Sequence, residues 1–222
     1  SQERRFIDGV DLNHIMPGDP NGNMSQVYAA RIVDGLISQF DYLVDIHTAS
    51  NGRINSYYIR TDLHHSEARK MAELQNPDII LHSPPHDGTL RGAAESLDIP
   101  AITVELGDPN IFQRDKVRDG MTGIMRLLKE FGFYHGVVQY EDALPAVICK
   151  RSYWMYADMG GFLTVKPQLT DRVEKGEVIA FMKNTFGDII REYTAPEDGV
   201  VIGKSVQPIN YTGGRILHLG IE

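Results

Sequence analysis

The chain has 222 residues, 42% of them hydrophobic, and carries a formal net charge of -8. This length and apolar fraction support one large domain, or one domain with a small module, and exclude a disordered chain. The acidic balance, without a basic stripe of interleaved aromatic residues, argues against nucleic acid as a partner. No apolar run in the sequence approaches the ~20 residues of a membrane helix, so we expect no membrane partner either.

The sequence contains one cysteine, Cys149, which excludes an internal disulfide framework and is typical of a reducing compartment. We therefore expect a cytoplasmic protein. Cys149 lies in the apolar string AVICK, which favours a small buried residue over a catalytic nucleophile.

The first stretch, RRFIDGVDLNHIMPGDPNGN, is rich in glycine and proline and predicts a loop. It concentrates Arg5, Asn13 and His14 ahead of the first helix. Such side chains in a loop above a sheet suit recognition of a carboxylate or polarisation of a carbonyl. A solvated loop with local Asx turns is the alternative.

Helical and strand patterns then alternate as far as the neighbourhood of residue 140. Ser25 is predicted to cap a first helix, and a later helix is expected to end at Gly132. The apolar face of the first helix is expected to hold Ala29, Val33, Leu36, Ile37 and Phe40, and that of the later helix Val117, Met121, Ile124, Leu128 and Phe131. Strands are predicted in FDYLVDIHT, INSYYIR, NPDIILHS and IPAITVELG. This alternation predicts an α/β sheet covered by helices.

Two of these strands end in residues that can handle a metal or a proton, His47 and Glu105. Ligands gather outside the carboxyl ends of strands in open α/β sheets. A glutamate in a run as apolar as AITVELG is costly to bury as an anion unless a metal or a proton compensates it, although a structural ion pair is the alternative. For His47 alone, the alternative is a hydrogen-bonded core histidine. Asp45, two residues earlier, either orients His47 or caps a neighbouring loop.

After residue 140 the helical pattern stops, and glycine recurs between short β-rich pieces such as GFLTV, VIAFM, GVVIG and RILHLGI. This texture predicts an all-β, barrel-like module of short strands and tight turns. We place the α/β domain at residues 1–138 and the C-terminal β module at residues 139–222. The link between them has no flexible Gly/Ser tract, so we expect the module to pack on the domain.

The order of several short motifs resembles the succinylglutamate desuccinylase/aspartoacylase family of zinc carboxypeptidase-like hydrolases. DLNHIMPG is similar to that family's Asp-Leu-Asn-Arg-x-Phe-Pro-Gly motif, and Asp45 with His47 to its Asp-x-His strand end. GTLRGAA, with Arg91, and the strand ending in Glu-Leu-Gly, with Glu105, follow in the same order. KGEVIAF and YTAPEDGVV resemble the small β-barrel that closes many members, so the resemblance covers nearly the whole chain.

By position, the resemblance implies a role for each matching residue. His47 matches a zinc ligand, and Glu105 matches the general base that activates the water and then protonates the leaving amine. Arg5 matches, with a one-residue offset before DLN, the arginine that polarises the scissile carbonyl. Asn13 matches a residue that holds the carboxylate of the substrate, and Arg91 matches a further arginine at the substrate end.

The sequence departs from the family in two places. His14 stands where the family has an arginine, and a histidine cannot make the bidentate contact, so the acidic group of the substrate is held more weakly or the substrate differs. The family's other two zinc ligands lie in a His-x-x-Glu motif upstream of the DLN loop, a position that would fall before Ser1. His64 and Glu67 have that spacing, but they begin a predicted surface helix. We therefore expect the 222 residues by themselves to bind zinc weakly and to show no measurable hydrolysis.

Together these features predict a zinc-carboxypeptidase-like mixed sheet flanked by helices, in a zinc-dependent hydrolase that cleaves the amide of an N-acyl amino acid or a similar small amide. The predicted site consists of Glu105 and Arg5 as catalytic residues, Asn13, His14 and Arg91 as substrate-binding residues, and His47 as the metal ligand. His86, close to Arg91 in the sequence, stays open as a further residue of the site. Two alternatives also stay open: a carboxypeptidase acting on peptides or cell-wall fragments, and a non-catalytic binding protein on the same scaffold. The sequence names neither the acyl group nor the amino acid, and it leaves a homo-oligomer open.

Overall fold

The computed structural model describes residues 5–84, 88–138 and 145–222. Within those ranges the helices are α1 (Met24–Gly35), α2 (Ser66–Gln75), α3 (Leu90–Glu95) and α4 (Arg114–Glu130). Short 3-10 turns lie at Leu12–His14 and Ile37–Gln39. His86 lies outside the described residues. The predicted domain boundary, between residues 138 and 139, falls at the end of a described range.

The strands of the first half of the chain are those that the sequence predicts. They are β1 (Leu43–His47), β2 (Arg53–Thr61), β3 (Ile79–His82) and β4 (Ala101–Gly107). The described residues from 145 onward contain strands and turns: β5 (Val147–Cys149), β6 (Arg151–Tyr156), β7 (Gly161–Val165), β8 (Arg172–Val173), β9 (Val178–Lys183), β10 (Ile189–Thr194), β11 (Gly199–Ser205), β12 (Ile209–Asn210) and β13 (Arg215–Ile221). The all-β texture predicted for the end of the chain is therefore confirmed for these residues.

The strands form a large mixed sheet and a smaller one. The large sheet follows the order β1-β4-β2-β11-β13-β6, with β3 between β2 and β5, and with β8 paired to β11. β3 and β5 are parallel, whereas β11 is antiparallel to both β2 and β13. The smaller sheet has the order β10-β9-β7-β12. Among the described residues no closed barrel is found, so a barrel-like closure stays a prediction.

Some of the C-terminal strands belong to the same sheet as the strands of the first half of the chain. β11 pairs with β2, with Gly203 opposite Asn55 and Lys204 opposite Ile54. Pairing of this kind satisfies the backbone N–H and C=O groups that an edge strand would otherwise leave open. The sequence pattern marks each strand but carries no information on this long-range partner.

The chain divides into two compact units, which are Ser1–Asp45, Thr61–Met71 and Ser83–Thr103 for the first, and Ile46–Arg60, Ala72–His82 and Val104–Glu222 for the second. The core of the first unit contains Ile37, Leu43, Ala94, Ile99 and Ala101. The second unit has a cluster of twelve buried residues that includes Leu163, Ile179, Met182, Ile216 and Leu217. These bounds differ from a division at residue 138, and the division proposed from the sequence stays a prediction.

The N-cap of the first helix lies two residues before the predicted cap, Ser25. Asn23 is the N-cap of α1, and its side chain accepts the backbone N–H of Gln26 at 3.0 Å. Oε1 of Gln26 in turn accepts the backbone N–H of Asn23 at 2.9 Å, which completes a capping box. Ser25 is buried instead, and its hydroxyl and backbone N–H are hydrogen-bonded to Asp8.

The apolar faces of the helices are only partly as predicted. In the first segment Leu36 and Phe40 are exposed, because α1 ends at Gly35 and the chain turns away. In α4 the predicted face is wrong for Val117, Met121 and Leu128, which are exposed.

Two glycines form much of the packed face of α4. A Cβ at Gly120 would lie 2.9 Å from the Leu106 side chain, and one at Gly123 would lie 2.2 Å from Oε1 of Gln75. Close approach of the backbone therefore decides which face is buried, and a count of apolar residues does not detect it.

Cys149 is fully buried, as predicted. Burial raises the pKa of its thiol to about 11, with a smaller contribution from Glu222. A thiol of this kind is protonated at neutral pH, which argues against a nucleophilic role.

None of the helices in the described ranges has the length and apolar character needed to cross a bilayer.

Candidate active site

The ends of β1 and β4 carry the two residues predicted for the chemistry. The strands are neighbours in the large sheet. The backbone N–H of Leu43 donates to the carbonyl of Pro100 at 3.0 Å, and that of Ala49 donates to the carbonyl of Gly107 at 3.3 Å. From the first bond to the second, the residue number increases along both segments. The strands therefore run parallel and end at the same edge of the sheet.

His47 is therefore the last residue of one of two neighbouring parallel strands, and Glu105 lies two residues before the end of the other. Both side chains are half-buried, and both take part in interactions with the rest of the chain. This placement supports the predicted convergence of the imidazole and the carboxylate. Their roles as zinc ligand and general base stay predictions.

Glu105 is held by a residue of β2 that the sequence reasoning did not single out. Nδ2 of Asn55 donates a hydrogen bond to Oε2 of Glu105 at 3.0 Å. Asn55 is 6% exposed, so this amide is fixed in the interior. A buried amide that donates to a carboxylate orients it and stabilises its ionised form.

A row of paired residues extends from Asn55 across the large sheet. Asn55 lies opposite Gly203, Gly203 opposite His218, and His218 opposite Trp154. Gly203 leaves room for the asparagine side chain, because a Cβ there would lie 2.5 Å from Oδ1 of Asn55. The only sequence signal for this arrangement is the glycine within the β-rich string GVVIG.

In the first unit, the DLN loop is tied to the start of α3. Oδ1 of Asn13 accepts the backbone N–H of Leu90 at 2.9 Å, and Met16 N–H donates to the carbonyl of Gly88 at 2.9 Å. The loop itself is ordered by Asp11, whose carboxylate accepts the backbone N–H of Asn13 at 3.1 Å. The Asn13 side chain therefore links the loop to the start of α3, and its contact with substrate stays a prediction.

The two other predicted loop residues are exposed. The ring of His14 lies 3.6 Å from the carboxylate of Asp11, and its side chain is 67% exposed. Nη1 of Arg5 donates to the carbonyl of Gly9 at 3.3 Å. Their contacts with a substrate stay predictions.

Arg91 is deeply buried, unlike a typical substrate-binding arginine. Its side chain is 1% exposed and forms an ion pair of 2.5 Å with Glu95, which is 6% exposed. It also donates to the carbonyl and hydroxyl oxygens of Ser83, at 3.2 and 3.1 Å, and to the carbonyl of Pro84 at 3.4 Å. Burial raises the pKa of Glu95, while Arg91 opposes that shift. These bonds hold the guanidinium against Glu95, Ser83 and Pro84, and a substrate contact stays a prediction.

The spaced pair His64 and Glu67 lies at the start of α2, where both side chains are exposed. The backbone N–H of His64 donates to Oδ1 of Asp62 at 2.9 Å, and Nδ1 of His65 accepts the N–H of Ala68 at 3.3 Å. These bonds are those of a helix start.

Among the described residues, one group of side chains has the composition and spacing to hold a metal ion. One ligand atom each from Asp62, His64 and His82 lies within 4.8 Å of the others. The group does not include His47, so it is not the zinc ligand set implied by the family resemblance.

Comparison with known proteins identifies the family. Residues 1–131, more than half of the chain, match the model of the succinylglutamate desuccinylase/aspartoacylase catalytic domain. A curated relative, the N-alpha-acetyl-L-2,4-diaminobutyric acid deacetylase of Halomonas elongata, is 24% identical over 216 residues. That match covers 89% of this chain and 61% of the relative, so the chain spans less than two thirds of the relative's length.

Solved structures share the fold. The apo ectoine utilization protein of Ruegeria pomeroyi has a TM-score of 0.84 at 19% identity, over 96% of this chain and 70% of that one. A succinylglutamate desuccinylase/aspartoacylase of Rhodobacter sphaeroides has a TM-score of 0.85 at 20% identity, over 99% of this chain and 70% of that one. With the family match over residues 1–131, the chain belongs to the succinylglutamate desuccinylase/aspartoacylase family.

Proposed function

We propose that this chain belongs to a zinc-dependent deacylase that hydrolyses the amide bond of an N-acyl amino acid. The observation that carries the proposal is the carboxylate of Glu105, which lies on the strand beside the one that ends at His47 and accepts a hydrogen bond from Asn55. The family match and the deacetylase named among the relatives support the same reaction class.

His47 fits a zinc site by its chemistry and its place. An imidazole is a common zinc ligand, and this one stands half-buried at the end of a strand, next to the strand that carries a carboxylate. When bound, zinc polarises the amide carbonyl and lowers the pKa of a coordinated water to near neutrality. We assign His47 to hold it.

Glu105 is the proposed general base and acid. Its carboxylate accepts a proton from the attacking water and then delivers that proton to the leaving nitrogen, so the amine departs neutral. The hydrogen bond from Asn55 orients the carboxylate for this transfer.

Arg5 is the proposed partner of the carbonyl oxygen. Negative charge develops on that oxygen when water adds to the amide carbon, and a guanidinium stabilises it. A single donor to such an oxyanion is commonly worth about 3 kcal/mol.

The contacts of Arg91 and the replacement of the family arginine by His14 favour a substrate with a single carboxylate. A second carboxylate, as in a succinyl or aspartyl group, would need its own guanidinium, but Arg91 is paired with Glu95 and the family arginine is replaced by His14. We therefore propose N-acetyl amino acids ahead of N-succinyl ones, with Asn13 and His14 at the carboxylate.

The experiment is an assay of the zinc-loaded full-length protein against four substrates: N-acetyl-L-2,4-diaminobutyrate, N-acetyl-L-aspartate, N-succinyl-L-glutamate and an unmodified dipeptide. We expect release of the free amino acid to be fastest from the first. A dipeptide cleaved faster than every N-acyl amino acid would favour the carboxypeptidase alternative. Full zinc occupancy without turnover of any of the four would contradict catalysis and favour a binding protein.

A further inference from the structure

The single tryptophan of the sequence lies beneath two guanidinium groups. Cζ of Arg215 is 5.1 Å from the centroid of the Trp154 ring, and Cζ of Arg53 is 5.7 Å from it. Trp154 and Arg215 are both half-buried. An indole attracts a cation over its face, but two cations above one ring also repel each other. A negative charge at this place would relieve that repulsion.

The indole ring is held by its neighbours in the sheet. The imidazole of His218, opposite Trp154 in the pairing of β13 with β6, stacks on it with centroids 4.9 Å apart and planes at 11°. Nε2 of His218 lies 2.8 Å from the hydroxyl of Ser152. Burial lowers the pKa of His218 to about 3, with smaller contributions from Arg60 and Arg215, so the stack adds no third cation at neutral pH. A ring packed in this way keeps its place under Arg215.

Two other arginines of the C-terminal strands also lie over aromatic rings, and each of them is paired with a carboxylate. Cζ of Arg191 is 5.9 Å from the centroid of the Tyr193 ring, and its Nη2 lies 2.7 Å from the carboxylate of Asp158. The same arrangement recurs, in the order cation, ring and carboxylate, at Arg151, Tyr153 and Glu197. In both cases an anion completes the stack of guanidinium and ring.

Arg215 lacks such a carboxylate. Throughout the part of the chain that the structure describes, no aspartate or glutamate forms an ion pair with its guanidinium. Tyr156 lies opposite Arg215 and two residues from Trp154, so the three side chains share a face of the sheet, and Tyr156 is 54% exposed. A solute can therefore reach Arg215 from this side.

We propose that Arg215 and Trp154 form a binding site for a small oxyanion, either a carboxylate or a phosphate group. A guanidinium offers two parallel N–H groups to such an anion, and the indole beneath it fixes the plane in which they point. The anion takes the place at Arg215 that Asp158 has at Arg191. The site goes beyond the proposed function and does not depend on it.

The row of paired residues that begins at Asn55 ends at this site. It crosses β11 and β13 to reach Trp154 on β6. Three strand spacings, about 14 Å in all, separate the backbone of Trp154 from that of Asn55, whose amide donates to Glu105. The oxyanion site therefore lies away from the carboxylate of Glu105, and its ligand need not be the substrate.

The test is a fluorescence titration of the full-length protein with inorganic phosphate, compared with chloride at the same ionic strength. Trp154 is the only tryptophan of the 222 residues, and an anion at Arg215 changes the charge beside its ring. We expect a saturable change in emission that is lost in Trp154→Phe. Arg215→Met should weaken phosphate binding about 10-fold or more, because a charge-assisted bidentate contact is lost. Calorimetry of the parent and of Arg215→Met gives the affinity independently of the ring.

Arg191→Met is the matched control. Arg191 also lies over an aromatic ring, but its guanidinium already holds Asp158, so the substitution should leave phosphate affinity within about twofold. Equal losses in the two variants would show a general attraction of phosphate to positive charge and would overturn the proposal. Should Arg215→Met not fold, Arg215→Lys replaces it, because lysine keeps the charge and loses the fork. Parental affinity in Arg215→Lys would then contradict the bidentate contact.

A parallel titration with acetate distinguishes the two sources of the oxyanion. Saturation by acetate through Arg215 supports a carboxylate ligand, and saturation by phosphate alone supports a phosphate group. Saturation by neither would overturn the proposal. The readout does not use activity, so its failure leaves the proposed function standing. A zinc-loaded protein that binds phosphate through Arg215 but hydrolyses no N-acyl amino acid would defeat the proposed function alone.

Discussion

The amide of Asn55 donates to Oε2 of Glu105 at 3.0 Å, between two strands that are neighbours in the large sheet. β11 pairs with β2 at this same asparagine, with Gly203 opposite it. Residues from the middle of the chain and from its C-terminal part thus meet around a single carboxylate. Substitutions in this arrangement and its surroundings should therefore have separable effects on turnover, zinc content and stability.

Glu105→Gln in the full-length protein should keep zinc and lose most turnover. An amide has the size of the carboxylate and still accepts from Asn55, but it cannot take a proton. General acid–base assistance is typically worth about 10² to 10⁴-fold, so we expect kcat to fall by that order. Steady-state kinetics and metal analysis of one preparation measure both effects. The exposed Glu67→Gln serves as control, and a loss of zinc with Glu105→Gln would remove Glu105 from the role.

His47→Ala should lower the zinc content of the full-length protein. Removing an imidazole ligand leaves the site one donor short, and even changes outside the ligand shell cost about 10 to 100-fold in affinity. Zinc bound per protein after dialysis against a weak chelator is the measurement, with the exposed His135→Ala alongside. Unchanged zinc content would show that His47 is not a ligand.

Gly203→Ala should destabilise the fold and impair the site together. The added Cβ would lie 2.5 Å from Oδ1 of Asn55 and 3.1 Å from the carbonyl oxygen of Ile54, so the Asn55 side chain that holds Glu105 has to shift. Overpacking of this kind costs about 1 to 3 kcal/mol of unfolding free energy. Urea unfolding measures the cost. Gly35→Ala, where an added Cβ meets nothing within 4 Å, is the control and should not destabilise.

Arg91→Ala should act mainly on stability. It would leave Glu95 uncompensated in the interior, where breaking a buried ion pair costs about 3 to 5 kcal/mol. Arg118→Ala is the control, because Arg118 pairs with Asp115 and Asp119 at the surface and should cost less than about 1 kcal/mol. Urea unfolding distinguishes the two. An Arg91→Ala protein of parental stability but with a raised KM would instead favour the substrate-binding role.

His218 should make the protein less stable as the pH falls below neutrality. Its pKa is about 3 when folded and 6.5 as an unperturbed group, so between these values the unfolded chain binds one more proton. The contribution of His218 is complete above pH 6.5, declines as the pH falls, and is gone below the folded pKa. From pH 6.5 to pH 5 the loss is about 2 kcal/mol, at about 1.4 kcal/mol per unit.

Urea unfolding of the parent and of His218→Phe at several pH values between 5 and 7 checks this. The variant should show a shallower dependence on pH over that window, whereas the exposed His135→Gln should follow the parent. Identical slopes in the parent and in His218→Phe would contradict the buried neutral state of His218.

The sequence by itself predicted the local elements. Alternating apolar patterns marked each of the first four strands, and the β-rich strings from GFLTV to RILHLGI became β7, β9, β11 and β13. Such patterns report which backbone conformation and which face are favoured locally. The motif order also led to the family, which the match over residues 1–131 confirms.

Only the tertiary structure decided which residues of other elements each of these elements contacts. The buried face of α4 is set by Gly120 and Gly123, since backbone can approach closely where a side chain is missing, and glycine adds nothing to an apolar count. Arg91 belongs to a buried pair with Glu95, a fact that depends on the desolvation of both partners. Asn55 supports Glu105 from 50 positions away, because strand order in a sheet brings together residues whose spacing in the sequence carries no signal.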